Sequence, residues 1–197
     1  GIAKFQLESY NEAIFDFSKS IKINPKYEYA YINRGSAKNK LKDYIGAIED
    51  CNKAIEINPQ FWPVFNVKGN AKNDLKDYIG AIDDYSKAIE INPQYANAYN
   101  NRGSAKEDLK DYVGAIDDYS KAIEINPNNE YYYKLRGHAK RALKDYLGAI
   151  EDYSKAIEID PNDEFAYFYR GYTKKAIKDY IGSSEDMLKS ENLKNNK

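Results

Sequence analysis

The side chains that most often carry out chemistry are scarce in this sequence. His138 is its single histidine and Cys51 its single cysteine, which excludes a multi-histidine metal site and an intrachain disulfide. No phosphate-binding glycine loop, paired cysteines or nucleophile–base constellation is present. The residues therefore predict no enzyme activity, no cofactor and no metal. What the chain holds in quantity is twenty tyrosines, seven phenylalanines and many asparagines. An asparagine side chain both donates and accepts hydrogen bonds, so it can pair with a peptide main chain of any sequence. Aromatic rings offer large contact area at low entropy cost, and cations favour carboxylates. This is the chemistry of holding a ligand.

The bulk composition narrows the ligand class. Lys plus Arg (30) nearly cancels Asp plus Glu (31), without the basic excess expected of a protein that tracks a nucleic-acid backbone. No apolar run approaches the ~18–20 residues that span a bilayer. Hydrophobic residues make up 42% of the 197, enough for a continuous core, so a folded array is expected.

The elements that position these side chains follow from a strict sequence period. Pro25, Pro59, Pro93, Pro127 and Pro161 keep it, as do Gly35, Gly69, Gly103, Gly137 and Gly171, and a third ladder runs from Tyr10 to Tyr180. Within residues 96–129 the pattern predicts two helices. The first runs from Ala96 to Leu109 and is broken at Lys110–Asp111, with Asp111 as N-cap of the second. The second carries Val113, Ala115, Ile116, Tyr119, Ala122 and Ile123 on one apolar face, and Asn126–Pro127 forms the turn out. A helix pair this short cannot bury that face alone, so the units must stack.

These residues resemble tetratricopeptide repeats. In residues 96–129, Tyr99 holds that family's Trp place, Gly103 its Gly, Ala115 and Ala122 its two Ala places, Tyr119 its aromatic place and Pro127 its Pro. Arg102 departs from the usual Leu and Lys106 from the usual Tyr. Pentatricopeptide repeats, which read RNA, have a longer period and lack this Gly–Ala–Pro set. The resemblance implies an all-α fold, a right-handed superhelical α-solenoid of 34-residue helix–turn–helix repeats. It divides the chain into a partial repeat over residues 1–27 and full repeats over 28–61, 62–95, 96–129, 130–163 and 164–197. Residue 1 is then expected to fall inside a first helix of a longer array. The last unit is expected to be a polar cap, since Ser184 and Glu191 replace the isoleucines of earlier units, and its tail, Asn192 to Lys197, is expected to fray.

Arg34, Lys68, Arg102, Arg136 and Arg170 each precede an acid by the same interval: Asp50, Asp84, Asp118, Asp152 and Asp186. Five ion pairs across the hairpins are predicted, of modest energy if exposed. The recurring acidic residues are expected to be solvated faces and caps. Cys51, at the place of Tyr85 and Tyr119, is expected to be a buried thiol, and Trp62 to pack rather than bind.

In the family resembled, first helices line a concave groove that takes peptides. Carried over, the groove places are those of Asn97, Asn100, Asn101, Ser104, Glu107 and Asp108. Asn33, Asn66, Asn70, Asn100 and Asn101 make its middle amide-rich. Tyr131, Phe165, Phe168, Tyr169 and Tyr172, with Lys134, His138, Arg141 and Lys175, make its C-terminal end aromatic and cationic. The amides could equally reflect composition, and the aromatics could pack on another protomer or within a closed superhelix. The Lys–Asn spacing of a carboxylate clamp for chaperone C-terminal tails is met in no register, so that ligand is not expected. The expected function is a protein-interaction scaffold or adaptor that binds a peptide or protein segment. The alternatives are a self-associating array, a homo-oligomer through its open N-terminal edge, and the non-catalytic targeting region of a larger enzyme.

Overall fold

The computed structural model describes residues 1–195 and contains, among them, twelve α-helices and no strand. They are α1 (Ile2–Gln6), α2 (Tyr10–Ile23), α3 (Glu28–Lys40), α4 (Tyr44–Ile57), α5 (Trp62–Asp74), α6 (Tyr78–Ile91), α7 (Ala96–Asp108), α8 (Tyr112–Ile125), α9 (Glu130–Ala142), α10 (Tyr146–Ile159), α11 (Glu164–Ala176) and α12 (Tyr180–Asn195). The chain forms two compact units that divide within α7, the first being Gly1–Ala105 and the second beginning at Lys106. In the first unit α3 packs on α4, α4 on α5 and α5 on α6; in the second, α8, α9, α10, α11 and α12 pack in the same succession.

The turn inside each repeat is built from three side-chain types. After α7, the Asp111 amide donates to the Lys106 carbonyl at 2.9 Å and the Lys110 amide to the Glu107 carbonyl at 2.8 Å, closing the helix in a Schellman arrangement. Lys110 takes the left-handed conformation this requires, at φ 64°. Asp111 then caps α8, as the sequence predicts, by accepting from the Gly114 amide at 3.0 Å. A Cβ on Gly114 would crowd the Asp111 carboxylate, so glycine there leaves the cap undisturbed. Within each hairpin the ladder glycine lets the helices close. A Cβ on Gly69 would meet the Tyr85 ring at 2.6 Å, and one on Gly137 the Tyr153 ring at 2.8 Å.

The core follows the small and aromatic ladders. In the first unit Ile32, Cys51, Ala54, Phe61, Val64, Phe65, Ala88 and Ala98 form one cluster. Burial pushes the Cys51 thiol up to about 12, as for an inert core sulfur. Trp62 packs on Tyr95, with ring centroids 4.4 Å apart. In the second unit Ala115, Tyr119 and Ala139 are buried together against Ile116 and Leu135.

Three expectations are corrected. Val113 does not join the apolar face of α8 but is 61% exposed, because the cap places it on the outer side of the first turn. The tail expected to fray from Asn192 is helical as far as Asn195, the end of α12; Asn196 and Lys197 lie outside the described residues. The acids of the hairpin pairs are not solvated: Asp50, Asp84, Asp118, Asp152 and Asp186 are all buried.

Burial changes what those acids need. Asp50 receives Arg34 through two bonds, Nε to Oδ2 at 2.9 Å and Nη2 to Oδ1 at 2.6 Å. Lys38 adds a second cation at 2.9 Å and also donates to the Gly46 carbonyl. Arg34 Nη1 reaches Ser18 on the preceding hairpin at 3.1 Å. The same set recurs with Arg136, Lys140, Asp152 and Ser120, and with Arg170, Lys174, Asp186 and Ser154. Both departures from the family pattern, Arg at the Leu place and Lys at the Tyr place, thus serve one buried carboxylate. The pair expected at Lys68 does not form. Asp84 is held by Lys72 at 2.6 Å, and the Ser place that an arginine would reach is Asn52, which is exposed. Lysine lacks the fork that binds a carboxylate and a neighbour together. Arg102 and Asp118 fall in different units.

Candidate functional site

The amide-rich residues of the first unit bind mainly one another. Asn101 Nδ2 donates to Asn66 Oδ1 at 3.0 Å and to Asn70 Oδ1 at 3.2 Å, and the Tyr85 hydroxyl donates to Asn70 Oδ1 at 2.8 Å. Asn100 Nδ2 donates to Asn101 Oδ1 at 3.1 Å. Asn66 is buried, and Asn33, half-buried, takes no part in this network. Asn39, Asn73 and Asp74, which fall on the groove places of Glu107 and Asp108 but are not singled out by the sequence, and Tyr85, read there as packing only, line with Asn70 and Asn101 a polar cleft of about 230 Å³. Asn39 and Asn73 stand one period apart, a signal the repeat already carried.

In the second unit the predicted aromatic and cationic residues come together on α9 and α11. His138 lies edge-on to Tyr169 with ring centroids at 4.1 Å, Tyr169 stacks over Tyr153 at 6.1 Å, and Phe168 meets Tyr169 at 5.4 Å. Tyr169 and His138 are therefore half-buried packing residues of this surface. Phe165, Phe168 and Tyr172 project from it, 58%, 43% and 52% exposed, and Tyr131 is exposed on α9. Phe165, Phe168 and Tyr169 line a largely apolar cleft of about 330 Å³ with Glu164, Ser190 and Lys194. A second opening of about 230 Å³ adjoins it, lined by Arg141, Phe168, Tyr169 and Tyr172.

The cations are less available than their count in the sequence suggests. Lys134 is bound by Asp163, with Glu130 3.9 Å away, and its ammonium lies over the Tyr131 ring. Burial, aided by Arg141 and Lys134, lowers the His138 imidazole to about 4, so it is neutral near pH 7. Arg141 stacks on the Tyr172 ring at 5.3 Å. Lys175, one turn beyond Tyr172, is exposed. The surface can therefore offer apolar contact and a guanidinium, which suits recognition rather than proton transfer. Among the described residues no group of three His, Cys, Asp or Glu side chains is placed to hold a metal, and no helix is long and apolar enough to cross a membrane.

Comparison with known proteins places this architecture. The chain superimposes on the crystal structure of MamA with a TM-score of 0.78 at 24% identity, over 82% of this chain and 95% of that one. It matches YrrB, described as a TPR protein with an unusual peptide-binding site, with a TM-score of 0.74 at 20% identity, over 90% and 91% of the two chains. The C-terminal part of a TPR repeat-containing protein from Cytophaga hutchinsonii gives 0.82 at 21% identity, over 96% of this chain and 76% of that one. At these identities the likeness concerns the fold. No curated protein sequence matches the chain significantly. Family models described as tetratricopeptide repeat match residues 1–27, 28–61 and 96–129, and one described as TPR repeat matches 69–110 and 137–178. Together with the helix pairs, these matches show that the chain belongs to the tetratricopeptide repeat family.

Proposed function

We propose that the protein is a non-catalytic interaction scaffold whose α9–α11 surface binds an extended peptide or protein segment. The observation that carries this reading is the set of aromatic rings on α11 that the repeat does not bury, Phe165, Phe168 and Tyr172. Residues that the packing of a repeat array does not require are where its function resides. Large rings beside a cleft are the side chains that dominate binding energy in interfaces. That YrrB is described as having a peptide-binding site supports the ligand class. The asparagines of the first unit are a weaker candidate, since their amides largely satisfy one another.

The test is titration of a peptide library against the protein and its Phe168→Ala and Tyr172→Ala variants. Each substitution is expected to weaken the selected peptides by about tenfold or more, a loss of ~1.4 kcal/mol or more. Unchanged affinity in both would remove this surface from consideration.

A further inference from the structure

The cleft lined by Phe165, Phe168, Ser190 and Lys194 between α11 and α12 has filled counterparts elsewhere in the chain. Four periods earlier the same places are Tyr29, Ile32, Ala54 and Asn58, and Phe61 packs among them. The Phe61 ring meets Tyr29 edge-on at a centroid distance of 4.7 Å and is buried in one cluster with Ile32 and Ala54. Its amide donates to the Asn58 carbonyl at 3.1 Å. One period before the cleft the places are Tyr131, Lys134, Ala156 and Asp160, and Asp163 stands where Phe61 does. Its carboxylate binds Lys134, and its amide donates to the Asp160 carbonyl at 3.2 Å. Phe61 and Asp163 are both the N-cap residues of the first helix that follows.

The occupant changes with the residue that receives it. Aliphatic Ile32 holds a ring, and cationic Lys134 holds a carboxylate. In the α11–α12 cleft that residue is Phe168, and Phe165 takes the place from which Tyr29 meets Phe61. The lining is thus of the kind that holds a ring. At the occupant's own place the sequence next has Lys197, which lies outside the described residues and whose charge does not suit that lining. We propose that this cleft of about 330 Å³ is a seat for an aromatic side chain of a partner protein, entered as Phe61 enters between α3 and α4. A second copy of this chain is the poorer occupant. Ser18, Ser120 and Ser154 each accept from the arginine of the next hairpin, but their place on α12 is Leu188, which is exposed. An incoming first helix of this chain would leave its arginine there without that bond. The inference rests on the interaction-surface reading above and adds the side chain that the surface selects.

The probes are dodecapeptide libraries, degenerate except for one fixed central Phe, Leu, Asp or Lys, captured on the immobilised protein and quantified by mass spectrometry. The Phe library is expected to be retained about tenfold over the Asp library. Phe168→Lys, which copies the Lys134 seat, should reverse that order, a gain that an unfolded variant cannot give. Ser190→Leu, which fills the cleft from α12, should remove the Phe preference without creating one for Asp. Tyr172 does not line the cleft, so Tyr172→Ala should weaken all four libraries alike and keep their order. Equal retention of Phe and Asp, or an order that survives both Phe168→Lys and Ser190→Leu, overturns the seat. Retention that still falls with Tyr172→Ala then leaves the aromatic surface standing. A Phe preference with no effect of Tyr172→Ala leaves the seat standing and overturns the wider surface instead. Sedimentation velocity over a concentration range runs beside it, and a monomer is expected. Dimerisation that Phe168→Lys abolishes would place a second copy in the cleft and overturn its assignment to a partner.

Discussion

The buried aspartates show how much a single residue can ask of its neighbours. Asp152 is enclosed, and its charge is tolerable there because Arg136 binds both of its oxygens and Lys140 adds a third contact. Removing the guanidinium leaves the buried charge to Lys140 alone, so Arg136→Leu is expected to destabilise by about 2 kcal/mol, read as a lowered midpoint in thermal circular dichroism. A change within experimental error would mean the carboxylate is solvated after all. Asp186 carries the pH consequence. Burial alone would raise its carboxyl, but hydrogen bonds from Arg170 and Lys174 outweigh it and hold it below the usual carboxylate range. A group depressed in the folded state stabilises fully above its unfolded value and loses that contribution as pH falls through the folded one. Asp186→Asn is therefore expected to flatten the acid limb of stability below about pH 4, measured by urea titration at successive pH values. The constant interval between cation and acid made these pairs legible, but their burial was not, because depth depends on how neighbouring hairpins close over the site. Lys140 was visible only as a departure from the family pattern, with no partner assigned to it.

At the scale of the element, helix ends were the most readable feature and the exposed faces the least. The Asp111 cap and the break at Lys110 follow from side-chain chemistry within one helical turn, so sequence alone contains them. The position of Val113 depends on where that cap sets the helix phase, and apolar character misassigned it. The turn also keeps a local strain. A lysine at φ 64° closes α7, and lysines do so at the same place in every described repeat turn from α3 onward. A side chain in the left-handed region costs on the order of 1 kcal/mol that glycine avoids. Lys110→Gly is expected to raise stability by roughly 0.5–1 kcal/mol in denaturant unfolding. A clear loss would show that the Lys110 side chain contributes contacts beyond the backbone turn.

Across the whole molecule, the repeat explains the scaffold and the departures from it mark the proposed function. The sequence period was enough to predict the succession of helix pairs, since each small or aromatic place recurs with the same packing partner. The candidate surface was legible only as a group of off-pattern residues. Which of them are free depends on contacts between helices: Lys134 is bound by Asp163, and Tyr169 is packed against His138. Whether the α9–α11 surface holds the ligand is read most directly from aromatic side-chain NMR shifts on adding a peptide selected from a library. The largest changes are expected on Phe165, Phe168, Tyr169 and Tyr172. Changes confined to residues outside α9 and α11, with those four resonances unmoved, would contradict the assignment of this surface.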